Sequence, residues 1–188
     1  IVITDPTAQK PWLACAVQGV ADLHFVGAAA GAVCLPFGRS TGKLVGDNIT
    51  DWSLAEFRKH YQPGRGKKAQ PITKEAIFHY VYAVLHDPLY REKYAQNLKR
   101  EFPRIPFYGD SETTFWQWAA WGERLMALHI GYENVEPFAL KRSDVSDTKA
   151  RAASQAPKPA LKADKDAGRI TLDSETLLSG VPAEAWRY

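Results

Sequence analysis

Gly38-Arg39-Ser40-Thr41-Gly42 has the G-x-S-x-G spacing of a nucleophile elbow, in which a serine sits on a sharp turn from strand to helix. An apolar run precedes it, so the strand side of the requirement is met. The helix side is not. Lys43-Leu44-Val45-Gly46-Asp47-Asn48 is a poor helix former, and the chain lacks the serial strand–helix alternation of that hydrolase fold. A serine hydrolase at Ser40 is retained only as an alternative. With Lys43 the same residues imitate a phosphate loop. They fall one residue short of G-x4-G-K, and Leu44 stands where a hydroxyl would hold magnesium. Cys15, Cys34 and His24 lack the C-x2-C or H-x3-H spacing of a metal site. His79, His86 and His129 fall on or near apolar helix faces, where a satisfied core or rim histidine is expected. No carboxylate pair stands out for acid–base work.

The cations point to a different chemistry. Arg39 and Lys43 share one loop, and Arg65, Lys67 and Lys68 share a second, Gly-flanked one. Loops carry recognition more often than scaffold does, and clustered cations attract phosphate backbones. A solvated loop accounts for them equally well. The net charge is only +3, but it is unevenly spread: residues 51–110 hold 11 Lys/Arg against 7 Asp/Glu, and residues 111–140 hold 1 against 4. Basic sectors on a two-signed surface permit a polyanion partner without requiring one.

A chain of 188 residues, 45% hydrophobic and with six Trp, is the size of one domain and can bury a core. It does not begin with Met and reads as a piece of a longer protein. No secretory signal or membrane-length apolar run is seen. Two cysteines do not make a disulfide scaffold, so free thiols in a cytoplasmic protein are expected.

Residues 1–47 read as β-rich, with short apolar runs at 11–17 and 31–37 and a loop over 38–48. Residues 50–132 read as helical. Thr50 caps a helix running to Tyr61, Thr73 caps one running to His86, and a third follows Ser111. Asp87-Pro88-Leu89-Tyr90 is similar to the D-P-P-Y tetrad of adenine-N6 methyltransferases, but Leu89 replaces the second proline and the tetrad lies between helices. The better reading is a helix start, with Asp87 at the cap and Pro88 in the first turn. Tyr90, Tyr94, Leu98 and Phe102 recur every fourth residue, predicting a helix that Pro103 ends, with Lys99 and Arg100 in its last turn. Gly122 weakens the last long helix or allows a neighbour close. Residues 135–140 read as a short strand, 143–168 as a flexible loop or linker, and 169–188 as a closing strand and turn. The fold class expected is α+β: about four helices packed with a small, mostly antiparallel β portion.

Several stretches together resemble one family. They are NITDWSLAEFRKHY from Asn48, ITKEAIFHYVYAVLHDPLYREKYAQNLKREFPRIPF from Ile72, FWQWAAWGERLMALHIGYE from Phe115 and ITLDSETLLSGVPAEAWRY from Ile170. They look like the C-terminal specificity, or target-recognition, domain of type ISP restriction–modification enzymes. DLHFVGAAAGAVCLPF from Asp22 is similar to the segment just upstream. The resemblance implies a parent polypeptide of bacterial defence that joins a nuclease, an ATP-driven translocase, an adenine-N6 methyltransferase and this domain. S-adenosylmethionine, ATP and magnesium would serve those other parts. The present fragment would carry no cofactor or catalysis of its own. Its partners would be double-stranded DNA and the methyltransferase domain of the same polypeptide, with no membrane.

Enzymes of one family read different targets, so a segment that marks the family is a poor candidate for base readout. Residues 63–70 and 143–168 are better candidates. Phosphate contact is expected from Arg39, Lys43, Arg65, Lys67 and Lys68, and also from Lys99, Arg100 and Arg104. The rival reading is a structural coupling module that packs on the methyltransferase and has little DNA affinity of its own.

Overall fold

The computed structural model describes residues 1–6, 10–27, 31–40, 42, 45–62 and 70–187. The helices begin where short polar side chains satisfy backbone N–H groups that the first turn leaves orphaned. Thr50, Thr73 and Ser111 accept from the amides of Ser53, Ala76 and Thr114, each at 3.1 Å. They open α1 (Asp51–Tyr61), α2 (Lys74–His86) and α4 (Glu112–Ile130). Asp87 accepts from the Leu89 amide at 3.1 Å and opens α3 (Pro88–Lys93), with Pro88 in its first turn.

The helix predicted through Phe102 ends at Lys93 instead. Residues 94–100 form successive turns, in which Leu98 N–H still bonds Tyr94 O but Ala95 and Arg100 bond carbonyls three residues back. That tightening keeps Tyr90 and Leu98 buried while Phe102 swings out to 58% exposure. Lys99 and Arg100 thus lie in turns beyond a helix end.

The chain forms two compact units, Ile1–Val135 and Glu136–Tyr188, where one domain is expected from length. In the first, α2 packs against α4. Gly122 makes that approach possible: a Cβ there would lie 1.8 Å from the carbonyl oxygen of His79. Phe57, Tyr61, Tyr80, Tyr82, Phe115 and Met126 fill the core. A sheet of order β2-β1-β3 joins it, from β1 (Val2–Thr4), β2 (Ala14–Cys15) and β3 (Ala32–Cys34). The loop expected over 38–48 contains an antiparallel hairpin, β4 (Gly38–Ser40) with β5 (Val45–Asp47). All three residues of β4 are exposed, so no apolar alternation announces it.

The second unit is a four-stranded sheet of order β6-β9-β8-β7, from β6 (Lys141–Asp144), β7 (Pro159–Asp164), β8 (Arg169–Asp173) and β9 (Thr176–Ser179). It overturns two expectations. Residues 135–140 form no strand, and 143–168 are built from the end of β6, α5 (Thr148–Ala152) and β7. Polar ties replace an apolar core. Glu175 accepts from Asp147 N–H at 2.8 Å and holds the Arg151 guanidinium at 2.9 and 3.2 Å. That guanidinium holds the Glu175 carboxyl below its ordinary range. All strand pairs among the described residues are antiparallel, and with the helices they give the expected α+β class.

Candidate nucleic-acid interface

Residues 104–108 run extended past the core, without a strand partner for their carbonyls. Tyrosine hydroxyls satisfy them instead. Tyr90 donates to Arg104 O at 3.1 Å, Tyr80 to Pro106 O at 2.9 Å and Tyr61 to Tyr108 O at 3.1 Å. The Tyr80 oxygen also accepts from Tyr108 N–H at 2.8 Å and lies 3.0 Å from the Tyr61 hydroxyl. Burial, chiefly, raises the pKa of Tyr61, Tyr80 and Tyr90, so these phenols stay protonated donors. Tyr90 of the stripe read from the sequence, with Tyr61 of α1 and Tyr80 of α2, thus pins this strap. Asp87, besides capping α3, accepts from the Tyr108 hydroxyl at 2.9 Å. The D-P-L-Y tetrad is structural.

The hairpin that bears Arg39 stands on a fixed base. Phe37 packs on Phe78 with ring centroids 5.3 Å apart, and Asn48 N–H bonds Phe37 O at 2.7 Å. Lys74 reaches Asp51 at 2.7 Å and Asp47 at 3.7 Å. Arg39 is exposed on β4. Ser40 ends that strand and the chain returns as β5 rather than entering a helix, so the elbow geometry is absent. Lys43, Arg65, Lys67 and Lys68 lie outside the described residues. So does most of the 63–70 segment. Lys99 and Arg100 are exposed. Arg104 is exposed too, and pairs at 2.8 Å with Glu101.

Sequence reasoning missed one basic cleft. Lys10, Pro11 and Trp12 line it from one segment, and Arg91, Leu98 and Lys99 from another. Its volume is about 570 Å³. Seventy-eight residues (13–90) separate the two segments, so no local signal could have joined them.

The histidines behave as core and rim groups. His86 places Nδ1 2.8 Å from Tyr82 O and Nε2 3.1 Å from Ala14 O, and His129 bonds the Tyr82 hydroxyl. Burial, foremost, pulls the His86 pKa down to about 4. Among the described residues no group of three His, Cys, Asp or Glu could hold a metal ion. No helix among them is long and apolar enough to cross a membrane.

Over its whole length the chain is similar to part of a structure described as a cryoEM structure of a DrdV–DNA complex, with 44% identity and a TM-score of 0.80, and it covers 18% of that chain. It shares its fold with part of a nuclease-deletion mutant of the Type ISP restriction–modification enzyme LlaGI in complex with a DNA substrate mimic, at 20% identity, TM-score 0.64 and 12% of that chain. The same holds for the ATP-dependent Type ISP restriction–modification enzyme LlaBIII bound to DNA, at 18% identity, TM-score 0.66 and 12% of that chain. The chain therefore spans less than a fifth of the length of each of these proteins. No curated protein sequence matches it. The family described as the Type ISP C-terminal specificity domain matches residues 1–188 throughout, and the chain belongs to that family.

Proposed function

We propose that this chain reads the base sequence of duplex DNA as the specificity domain of a longer type ISP restriction–modification polypeptide. The observation that carries the reading is the whole-length similarity, at 44% identity and a TM-score of 0.80, to a part of the DrdV–DNA complex. Cations position such a domain on phosphates, and a few side chains read base edges in the major groove. Arg39 on its anchored hairpin and the exposed Lys99 and Arg100 are phosphate contacts in this reading. Lys43, Arg65, Lys67 and Lys68 join them as proposed contacts on the strength of their loops in the sequence.

Catalysis belongs to the rest of the parent: adenine-N6 methylation, translocation and cleavage, with S-adenosylmethionine, ATP and magnesium bound there. The fragment itself is not an enzyme, and the parent works in the cytoplasm on DNA. The described residues support this division, since Ser40 lacks its helix and His86 and His129 are committed to backbone and tyrosine partners.

A second reading, a coupling module that packs on the methyltransferase domain, draws on the outer row of α4. Trp121 and Leu128 are 48% and 52% exposed on helical spacing, and Tyr132 in the turn that follows the helix is 68% exposed. Selection of random duplex DNA by the purified chain separates the two. An enriched motif supports sequence reading. Weak, sequence-blind binding favours coupling.

A further inference from the structure

The structure assigns the cleft between Trp12 and Arg91 as a seat for a backbone phosphate of the bound duplex, with Lys10 and Lys99 as its outer contacts. The assignment rests on the DNA-binding reading above and extends it to residues that no loop signal indicates. Among the described residues three cations line this cleft and no carboxylate does. The nearby Glu101 is engaged elsewhere, by Arg104 at 2.8 Å and by Asn97 at 3.3 Å.

The two inner residues are placed before any ligand arrives. Buried Thr4 accepts from Leu13 N–H at 2.9 Å and donates to Pro11 O at 3.2 Å, so β1 fixes the segment that carries Trp12. Arg91 donates from Nε to Leu85 O at 2.7 Å, and its guanidinium lies 5.2 Å from the Trp12 ring centroid. A guanidinium held over an indole and by its Nε–H bond is oriented at little further entropic cost when an anion binds. Lys10 and Lys99 are exposed at the mouth, with no ion-pair partner among the described residues. One fixed inner cation and two exposed outer ones suit a phosphodiester that passes along an open groove.

The test is duplex affinity against salt for the unsubstituted chain, for Lys10→Gln/Lys99→Gln, and for a charge-matched pair of exposed lysines outside the candidate segments, Lys59→Gln/Lys141→Gln. Both sites of the first pair are exposed, so folding is preserved and a thermal melt checks it. Each lost phosphate contact lowers the slope of log K on log salt by about 0.9. The Lys10/Lys99 pair is expected to flatten it by about 1.8 while the preferred sequence stays the same. Lys10→Arg/Lys99→Arg is expected to restore the slope. An unchanged slope in the Lys10/Lys99 pair, or equal flattening in the charge-matched pair, overturns the cleft assignment and leaves the DNA reading standing. No duplex binding by the unsubstituted chain overturns both.

Discussion

Tyr80→Phe removes one oxygen and leaves the ring. That ring stacks on Phe115 at 5.5 Å between centroids and 15° between planes, and phenylalanine keeps this contact. The oxygen donates to Pro106 O at 2.9 Å and accepts from Tyr108 N–H at 2.8 Å. Its loss strands both backbone groups. Tyr61 keeps its own bond to Tyr108 O at 3.1 Å. A buried unsatisfied group costs about 1–3 kcal/mol. Pro106 and Tyr108 are half-buried and partly rehydrate, so the lower end applies to each and the sum is about 2–3 kcal/mol. For a chain of this size that lowers Tm by roughly 4–12 °C. The comparison is Tyr94→Phe, whose hydroxyl has no hydrogen-bond partner among the described residues and whose loss should cost less than about 0.5 kcal/mol. Urea denaturation of both variants, with hydrogen exchange at the Tyr108 amide, measures the difference. Equal stability of the two variants, or unchanged exchange at Tyr108, would refute the idea that tyrosine hydroxyls pin the strap.

Gly122→Ala improves helix propensity by about 1 kcal/mol but drives a Cβ into the His79 carbonyl, so denaturation should show a net loss of about 2–3 kcal/mol. Thr73→Ala removes the acceptor for Ala76 N–H and should lower stability by about 1 kcal/mol in the same assay, while Thr73→Ser should not. His86 titrates near 4 in the fold, chiefly because it is buried, against an ordinary 6.5 in the unfolded chain. Between those values the unfolded chain binds more protons, so this contribution is full above about pH 6.5 and is lost as pH falls towards about 4, by about 2 kcal/mol after allowing for partial exposure. His86→Gln should remove that part of the pH dependence of the denaturation midpoint.

What could be read in the sequence was local. Thr50, Thr73, Asp87 and Ser111 cap helices because a side-chain oxygen two or three residues from an orphan amide is a one-turn relation. Gly122 itself marked either a weakened helix or a close neighbour, and the structure shows the neighbour, the His79 carbonyl. The stripe from Tyr90 to Phe102 misled because its spacing fits a helix, whereas the hydroxyl of Tyr90 is claimed by Arg104 O and the chain turns to bring that carbonyl round. In the second unit only the strand from Arg169 was read; the rest was illegible because backbone ladders and Glu175 hold it, leaving few apolar residues to set a period. The Trp12–Arg91 cleft joins segments that meet only in three dimensions.

The central claim is that this chain distinguishes one DNA sequence from another. Its most direct measurement is the ratio of affinities for a selected duplex and for a scrambled duplex of the same length and composition, titrated at one fixed salt concentration. Sequence recognition predicts a ratio on the order of 10³ or more. Equal affinities for the two duplexes would contradict it.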